Sequence, residues 1–501
     1  MSESYVVAID QGTTSTRCLL FDRSGRMVSV AQREHHHHYP RPGWAEHDAA
    51  EIWRNTCEVV PRALRQAGVG LEQVATLGIA NQRETTVVWD PRTGRPYARA
   101  ITWQDTRTSE MTAALKAGPH AGLITEVSGL TPEPYFAGPR LAWLLDHVPG
   151  LRESAAAGEV LFGTMETWLV WNLTGGPDGG VHVTDVTNAS RTMLMDLRRL
   201  RWDERLLEVL DVPAAVLPEI RGNAEVYARC TTLLPGISIG GAIGDQQAAL
   251  FGQTCFDAGE AKCTYGTGAF LLMNVGEQVV ESPAGLLPTV AHQLPGQAAC
   301  YALEGSIAMA GSLVQWLRDA LEMIASAPEV ETLARSVEDN GGCYVVPAFS
   351  GLFAPRWRSD ARGVIVGLTS YVDKGHVARA VLEATGFQTR DVVEAVDAGS
   401  GPRLQRLKVD GGMTANYLLM QFLADVLDVP VERPMVTETV SLGAAYVAGL
   451  AVGYWADLET LRKNWHLAAR WTPQVDPAWR ERETAQWGRA VERAYGWSPA
   501  G

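Results

Sequence analysis

Apolar positions at the start of the chain fall into short runs broken by polar turns. Residues 5–10, YVVAID, read as a strand that ends on an acid. Residues 16–22 and 27–32 read as two more strands, with Arg23-Ser-Gly-Arg26 as the turn between them. The three make an antiparallel meander. From Asp48 the period changes. Asp48 and Glu51 have the spacing of a capping box. Ile52, Trp53, Val59, Val60 and Leu64 then recur at helical spacing. Residues 74–80 form another strand-like run, closing on Asn81-Gln-Arg-Glu84.

The middle of the chain is punctuated by Gly and Pro at 129–139 and 175–180, with a helical stretch at 141–146 between them. At 237–245 a strand runs into a tight turn and a carboxylate, Asp245, and a helix starts at Gln246. The opening theme then returns. Residues 260–265 are a strand, Gly266-Thr-Gly268 a turn, and 269–274 a second strand. Residues 404–409 form a strand that ends in Asp410-Gly-Gly-Met-Thr-Ala-Asn416, and a helix follows through Leu418, Phe422 and Leu427. Two similar hairpins, one in each half of the chain, predict two related α/β domains facing one another.

Length agrees, since 501 residues exceed what one core supports. A net charge of −14 argues against a nucleic-acid or anionic-membrane surface, and so against a nucleic-acid partner. It does not exclude phosphate substrates, which need only local positive groups or helix N-termini. Seven Cys without a C-x-x-C pair fit reduced thiols in a cytoplasmic protein. The first residues lack the basic start and apolar core of a signal peptide. No apolar run reaches the length of a membrane span, so no membrane insertion is expected.

The chemistry concentrates at strand ends. A glycine-containing hairpin turn such as Gly12-Thr-Thr-Ser15 can present backbone N–H groups and hydroxyls to a phosphate. An acid at the strand end, Asp10, suits Mg²⁺ held through water. An ordinary polar hairpin has the same composition. Asp245 suits a proton acceptor for an attacking hydroxyl; a helix cap is the plain alternative. Arg83 and Glu84 offer a donor and an acceptor to a small polyol. They equally suit a surface ion pair. His35 to His38 read as solvated histidines at a strand end rather than a metal site, because consecutive residues of a strand face opposite ways.

Taken together, the stretches AIDQGTTSTR, PGWAEHD, NQRETTVVWD, TWQDTR, IGDQQAALFGQ, TYGTGAFLLMN and VDGGMTANYLLMQF resemble the FGGY family of sugar and polyol kinases, and within it the branch acting on glycerol. They run in family order along most of the chain. The resemblance implies two ribonuclease-H-like domains of the actin/hexokinase type, 1–246 and 247–501, with a catalytic cleft between them. It implies ATP and Mg²⁺ as cofactors, glycerol as substrate, sn-glycerol 3-phosphate and ADP as products, and a homodimer or homotetramer. Carried over by position, Asp245 is the base. Arg83, Glu84, Trp103, Tyr135, Gln246 and Phe270 complete the substrate pocket. Thr13, Thr14, Ser15, Arg17, Thr267, Gly311, Gln315, Gly412 and Asn416 hold the nucleotide, and Asp10 with Asp245 faces the metal.

Several positions depart from the family pattern. Arg140 stands where Lys is preferred, Glu166 where Asp is common, and Phe353, Arg356 and Arg358 make one stretch bulky and basic. A kinase for another polyol or ketose, and a nucleotide-binding sensor without turnover, are the competing expectations. Asp10 and Asp245 argue against the sensor.

Overall fold

Short β-prone runs joined by tight turns pair with their neighbours first, and the opening meander does so. In the computed structural model, which describes residues 4–280, 285–398 and 401–497, strands occupy Tyr5–Gln11, Ser15–Phe21 and Met27–Glu34. They are antiparallel, with Asp10 opposite Arg17 and Thr16 opposite Arg33. Val74–Asn81 adds in parallel to the other side of Tyr5–Gln11, and Ser238–Gly244 adds in parallel beyond it. Ala228–Arg229 completes a six-stranded sheet. The register brings the three parallel strands to an end together, with Asp10 beside Ala80 and Gly244 beside Asn81. Open α/β sheets take their ligands at that carboxyl edge.

Both faces of this sheet are covered. Helices Ala49–Ala67 and Met165–Leu173 bury Ile52, Val59, Val60 and Leu169 against Val7, Ile9 and Leu77. Asp48 caps the first of these by accepting from the Ala50 N–H. The expected capping box does not close, because the Glu51 carboxylate is drawn off to the His36 ring at 2.7 Å. The opposite face takes helix Asp245–Gly252 and, from far along the chain, helix Thr439–Ala451. Backbone meets backbone there. A Cβ on Gly443 would fall 1.9 Å from the Ala248 carbonyl oxygen, and one on Gly78 2.0 Å from that of Ala444. Only glycine lets these segments approach so closely.

The second domain repeats the plan. Its seven-stranded sheet runs Leu287–His292, Cys300–Ile307, Ala269–Gly276, Glu260–Tyr265, Arg406–Asp410, Val431–Pro434, Leu467–Trp471. The central hairpin again has a parallel partner, with Thr264 opposite Asp410. Helix Lys374–Asp397 packs Val381, Phe387 and Val392 into the core beneath it. No helix among the described residues is long and apolar enough to cross a membrane.

Candidate active site

The first hairpin is a corner of aligned donors. Its turn is closed by Gly12 N–H donating to Ser15 O at 2.9 Å. The Thr13 hydroxyl accepts from Trp103 Nε1 at 2.9 Å, and the Ser15 hydroxyl from Gln32 Nε2 at 3.1 Å. Each hydroxyl thus accepts one bond and keeps its own O–H to donate. Thr14 is exposed at the tip. Asp10, at the strand end, is bonded by Arg17 and by Ser441 Oγ at 3.1 Å, both onto Oδ2. Arg17 also reaches Glu438 at 2.6 Å, so its guanidinium is shared between two acids. Ser441 and Glu438 come from the crossing helix and the residue before it.

Asp245 opens its helix at the sheet's carboxyl edge and is backed by a buried lattice of charge. Arg83 Nε lies 3.2 Å from Asp245 Oδ1, and its Nη1 is paired with Glu304. Arg191 joins Glu304 at 3.3 Å to Glu84 at 2.7 Å. Arg83 and Glu84 thus do not pair with each other at the surface. Both turn inward to separate partners, at 3% and 1% exposure. The turn is made at Glu84, whose φ of 63° is unusual for a side chain of its size; such backbone strain collects at functional sites. Burial pushes the Glu304 carboxyl up, but Arg191 and Arg83 outweigh it and bring it to about 2.

Aromatic side chains wall the space beside Asp245. Trp103 meets Tyr135 edge-on at 5.9 Å between ring centres and Phe270, from the second domain, at 6.5 Å. Gln246 accepts from Lys262, which also donates to Thr264 Oγ1 at 3.1 Å and to Phe270 O at 3.3 Å. Arg140 ties three loops of the pocket together, donating to Glu84 O at 3.1 Å, Trp103 O at 2.8 Å and Pro134 O at 2.7 Å. Its burial lowers the guanidinium to about 10.

On the far side, Gly311 N–H donates to Gly266 O at 2.9 Å and Ser312 N–H to Thr267 O at 3.0 Å, which fixes the second turn. A Cβ on Gly311 would lie 2.6 Å from Gly266 O and 3.6 Å from Met413 Cγ, so the 311 and 412–416 turns lie side by side. Thr267, Gln315 and Gly412 are exposed. The Asn416 carbonyl caps its own helix at Leu419 N, 2.9 Å, leaving the amide nitrogen outward.

Sequence reasoning missed Arg191, Glu304 and Lys262. Arg191 lay in the stretch HVTDVTNASRTML, which shares in the family resemblance but singled out no role for it. Glu304 is the lone charge of its strand, and Lys262 shares a short strand with Glu260, so neither carried a further signal. The basic stretch after Pro347 proves internally neutralised. Arg356 pairs with Asp391 at 3.0 Å and Arg358 with Asp360 at 2.6 Å. Phe353 and Trp357 stack outside, both exposed. Glu166 is buried and accepts from Asn81 at 2.9 Å, Thr164 at 2.6 Å and Thr184 at 2.7 Å.

Two α/β domains, each with a hairpin beside a strand-end acid, define the actin/hexokinase-like class of fold. The chain belongs to the FGGY family of carbohydrate kinases, whose N-terminal domain matches residues 5–252 and C-terminal domain residues 261–452. It is 59% identical over 498 residues to glycerol kinase 1 of Streptomyces avermitilis, covering 98% of this chain and 97% of that protein. It is 58% identical over 499 residues to the glycerol kinase of Clavibacter michiganensis, covering 99% of each. The structure superposes on Plasmodium falciparum glycerol kinase with ADP at a TM-score of 0.93, with 37% identity and 98% of each chain covered.

Proposed function

We propose that the protein transfers the γ-phosphoryl group of ATP to a terminal hydroxyl of glycerol, giving sn-glycerol 3-phosphate and ADP. The observation that carries this reading is Asp245, held by Arg83 at 3.2 Å between a donor-lined hairpin and an aromatic wall. The full-length likeness to glycerol kinases supports the choice of polyol. Arg83, Glu84 and Gln246 orient the hydroxyls, and Trp103 and Phe270 cover the carbon side. As the hydroxyl oxygen bonds to phosphorus, its proton passes to the Asp245 carboxylate. The bond from phosphorus to the bridging oxygen breaks, and ADP leaves. The Thr13, Thr14 and Ser15 hydroxyls and the turn N–H groups offset charge on the phosphate, with Arg17 reaching it from Asp10. Thr267, Gly311, Gln315, Gly412 and Asn416 hold the rest of the nucleotide.

Mg²⁺ fits the donors present. It prefers oxygen and takes one or two carboxylates. Asp10 has both neighbours on Oδ2, which leaves Oδ1 without a partner among the described residues. Asp245 has both on Oδ1 and leaves Oδ2. Bound there, the ion would screen the phosphate charge. The boundary between 246 and 247, a cytoplasmic location and a homodimer or homotetramer complete the reading.

Burial raises the Asp245 carboxyl to about 6, against the opposing pull of Arg83. A base must be ionised to accept a proton. We therefore expect kcat/KM for glycerol to climb with pH to about 6 and level off above it. A rate that stays constant from about pH 5 to about pH 7 would contradict this assignment. Substrate choice is tested by ADP release with glycerol, dihydroxyacetone, erythritol and xylulose beside a control without polyol. Glycerol is expected to give the highest kcat/KM. Preference for another compound would keep the kinase and move the specificity; binding of ATP without turnover on any of them would favour a sensor.

A further inference from the structure

His35, His37 and His47 stand together behind the first hairpin. Alternation along the segment places His35 and His37 on one face and His36 on the other, where its ring pairs with Glu51 at 2.7 Å. The third member comes across a ladder. His38 and Glu46 bridge in antiparallel fashion, with N–H to O distances of 3.0 and 2.9 Å, so His37 faces His47 directly. Consecutive histidines thus do not scatter here; every second one meets a partner from another segment. His35 and His47 are buried, at 6% and 0% exposure, and His35 is not the solvated residue the sequence suggests.

The nitrogens are arranged as ligands. One ring nitrogen of each lies within 4.8 Å of those of the other two. His47 Nε2 and His37 Nδ1 are 3.4 Å apart. That is about the spacing of two ligands on a tetrahedral ion with metal–nitrogen bonds of about 2.0 to 2.1 Å. His35 directs its Nε2–H to Thr13 O at 2.7 Å, which leaves Nδ1 as a bare lone pair. That Nδ1 is buried and has no hydrogen-bond partner. An imidazole that donates one nitrogen to a backbone carbonyl and presents the other is the arrangement by which proteins fix metal-binding histidines. We propose that His35, His37 and His47 form a binding site for one transition-metal ion of the Zn²⁺ type, with a fourth position open to water.

Burial lowers all three histidines, His47 to about 2, so the rings are neutral at physiological pH. Neutral imidazole is the ligating form. Metal on His47 Nε2 would move that ring's proton to Nδ1, which now faces Gln82 Nε2 at 3.3 Å. Gln82 would then have to turn its oxygen inward, giving up its bond to Gly12 O at 3.3 Å. The site thus bears on the hairpin turn through one side chain.

The test uses untagged full-length protein stripped with a chelator and titrated with Zn²⁺ against a chromophoric competitor. One equivalent is expected to bind, with three imidazole nitrogens at about 2.0 to 2.1 Å by X-ray absorption. His37→Gln, at a half-buried position, is expected to weaken binding by about 100-fold or more, since even loss of a supporting partner weakens metal sites by about 10- to 100-fold. His36→Gln is expected to stay within twofold of the parent. Equal weakening by the two variants would mean loose capture by the histidine run and would overturn the proposal. So would absence of a stoichiometric site, or fewer than three imidazoles on the ion.

Discussion

Asp245→Asn is expected to lower kcat by about 10² to 10⁴, the range that a positioned acid–base group contributes. The substitution keeps the shape of the side chain and its Oδ1 contacts with Gln246 N and Arg83, at 2.7 and 3.2 Å. It removes the carboxylate's charge together with its capacity to take a proton. ATP binding should persist, because the proposed nucleotide contacts come from the two hairpin turns and the 412–416 turn. The rise of kcat/KM toward about pH 6 should vanish with the carboxyl that causes it. Steady-state kinetics of parent and variant across pH decide the matter. A variant within tenfold of the parent would remove Asp245 from the chemistry and leave it as a helix-start acid.

Glu304→Gln should cost about 3 to 5 kcal/mol of stability, the range seen when one partner of a buried ion pair is deleted. Glu304 is the common anion for Arg83 and Arg191, and all three are buried. Its loss leaves two buried guanidiniums facing each other without their shared anion. The carboxyl sits at about 2 in the fold, below its ordinary value, so its stabilising effect is present above the ordinary carboxylate range. That effect fades as pH falls toward about 2. The denaturation midpoint at neutral pH measures the loss. Adding Arg191→Met to Glu304→Gln should not recover it, because Glu84 then loses its own buried partner. A single variant within about 1 kcal/mol of the parent would show that the lattice has no such role.

Much of this was legible in the sequence, and the reasons are local. Both hairpins, the strand-end acids Asp10 and Asp245, and the helix after Asn416 declare themselves within a few residues, because turn chemistry and period act at that range. The Arg83–Glu84 dipeptide was visible as a polyol-binding candidate, but its buried partners were not. Adjacent opposite charges suggest one pair at the surface; a left-handed turn at Glu84 sends them to Glu304 and Arg191 instead. Those partners lie more than a hundred residues away, and no short-range pattern joins them. His47 escaped for a different reason. Its link to His37 depends on a single bridge, His38 to Glu46, too short to leave a signature.

Helix Thr439–Ala451 has a consequence for how the protein comes into being. It lies on a sheet whose strands end by Gly244, although its own stretch of chain follows the second sheet's strand Val431–Pro434. Leu442, Ala445 and Val447 fill the same cluster as Val6, Leu19 and Ile243. During synthesis the first half therefore emerges with an oily flank that helix Asp245–Gly252 shields only in part. At about 5 to 20 residues per second, the covering segment arrives roughly ten seconds or more later. For that interval the nascent chain carries the kind of exposed apolar surface that chaperones recognise.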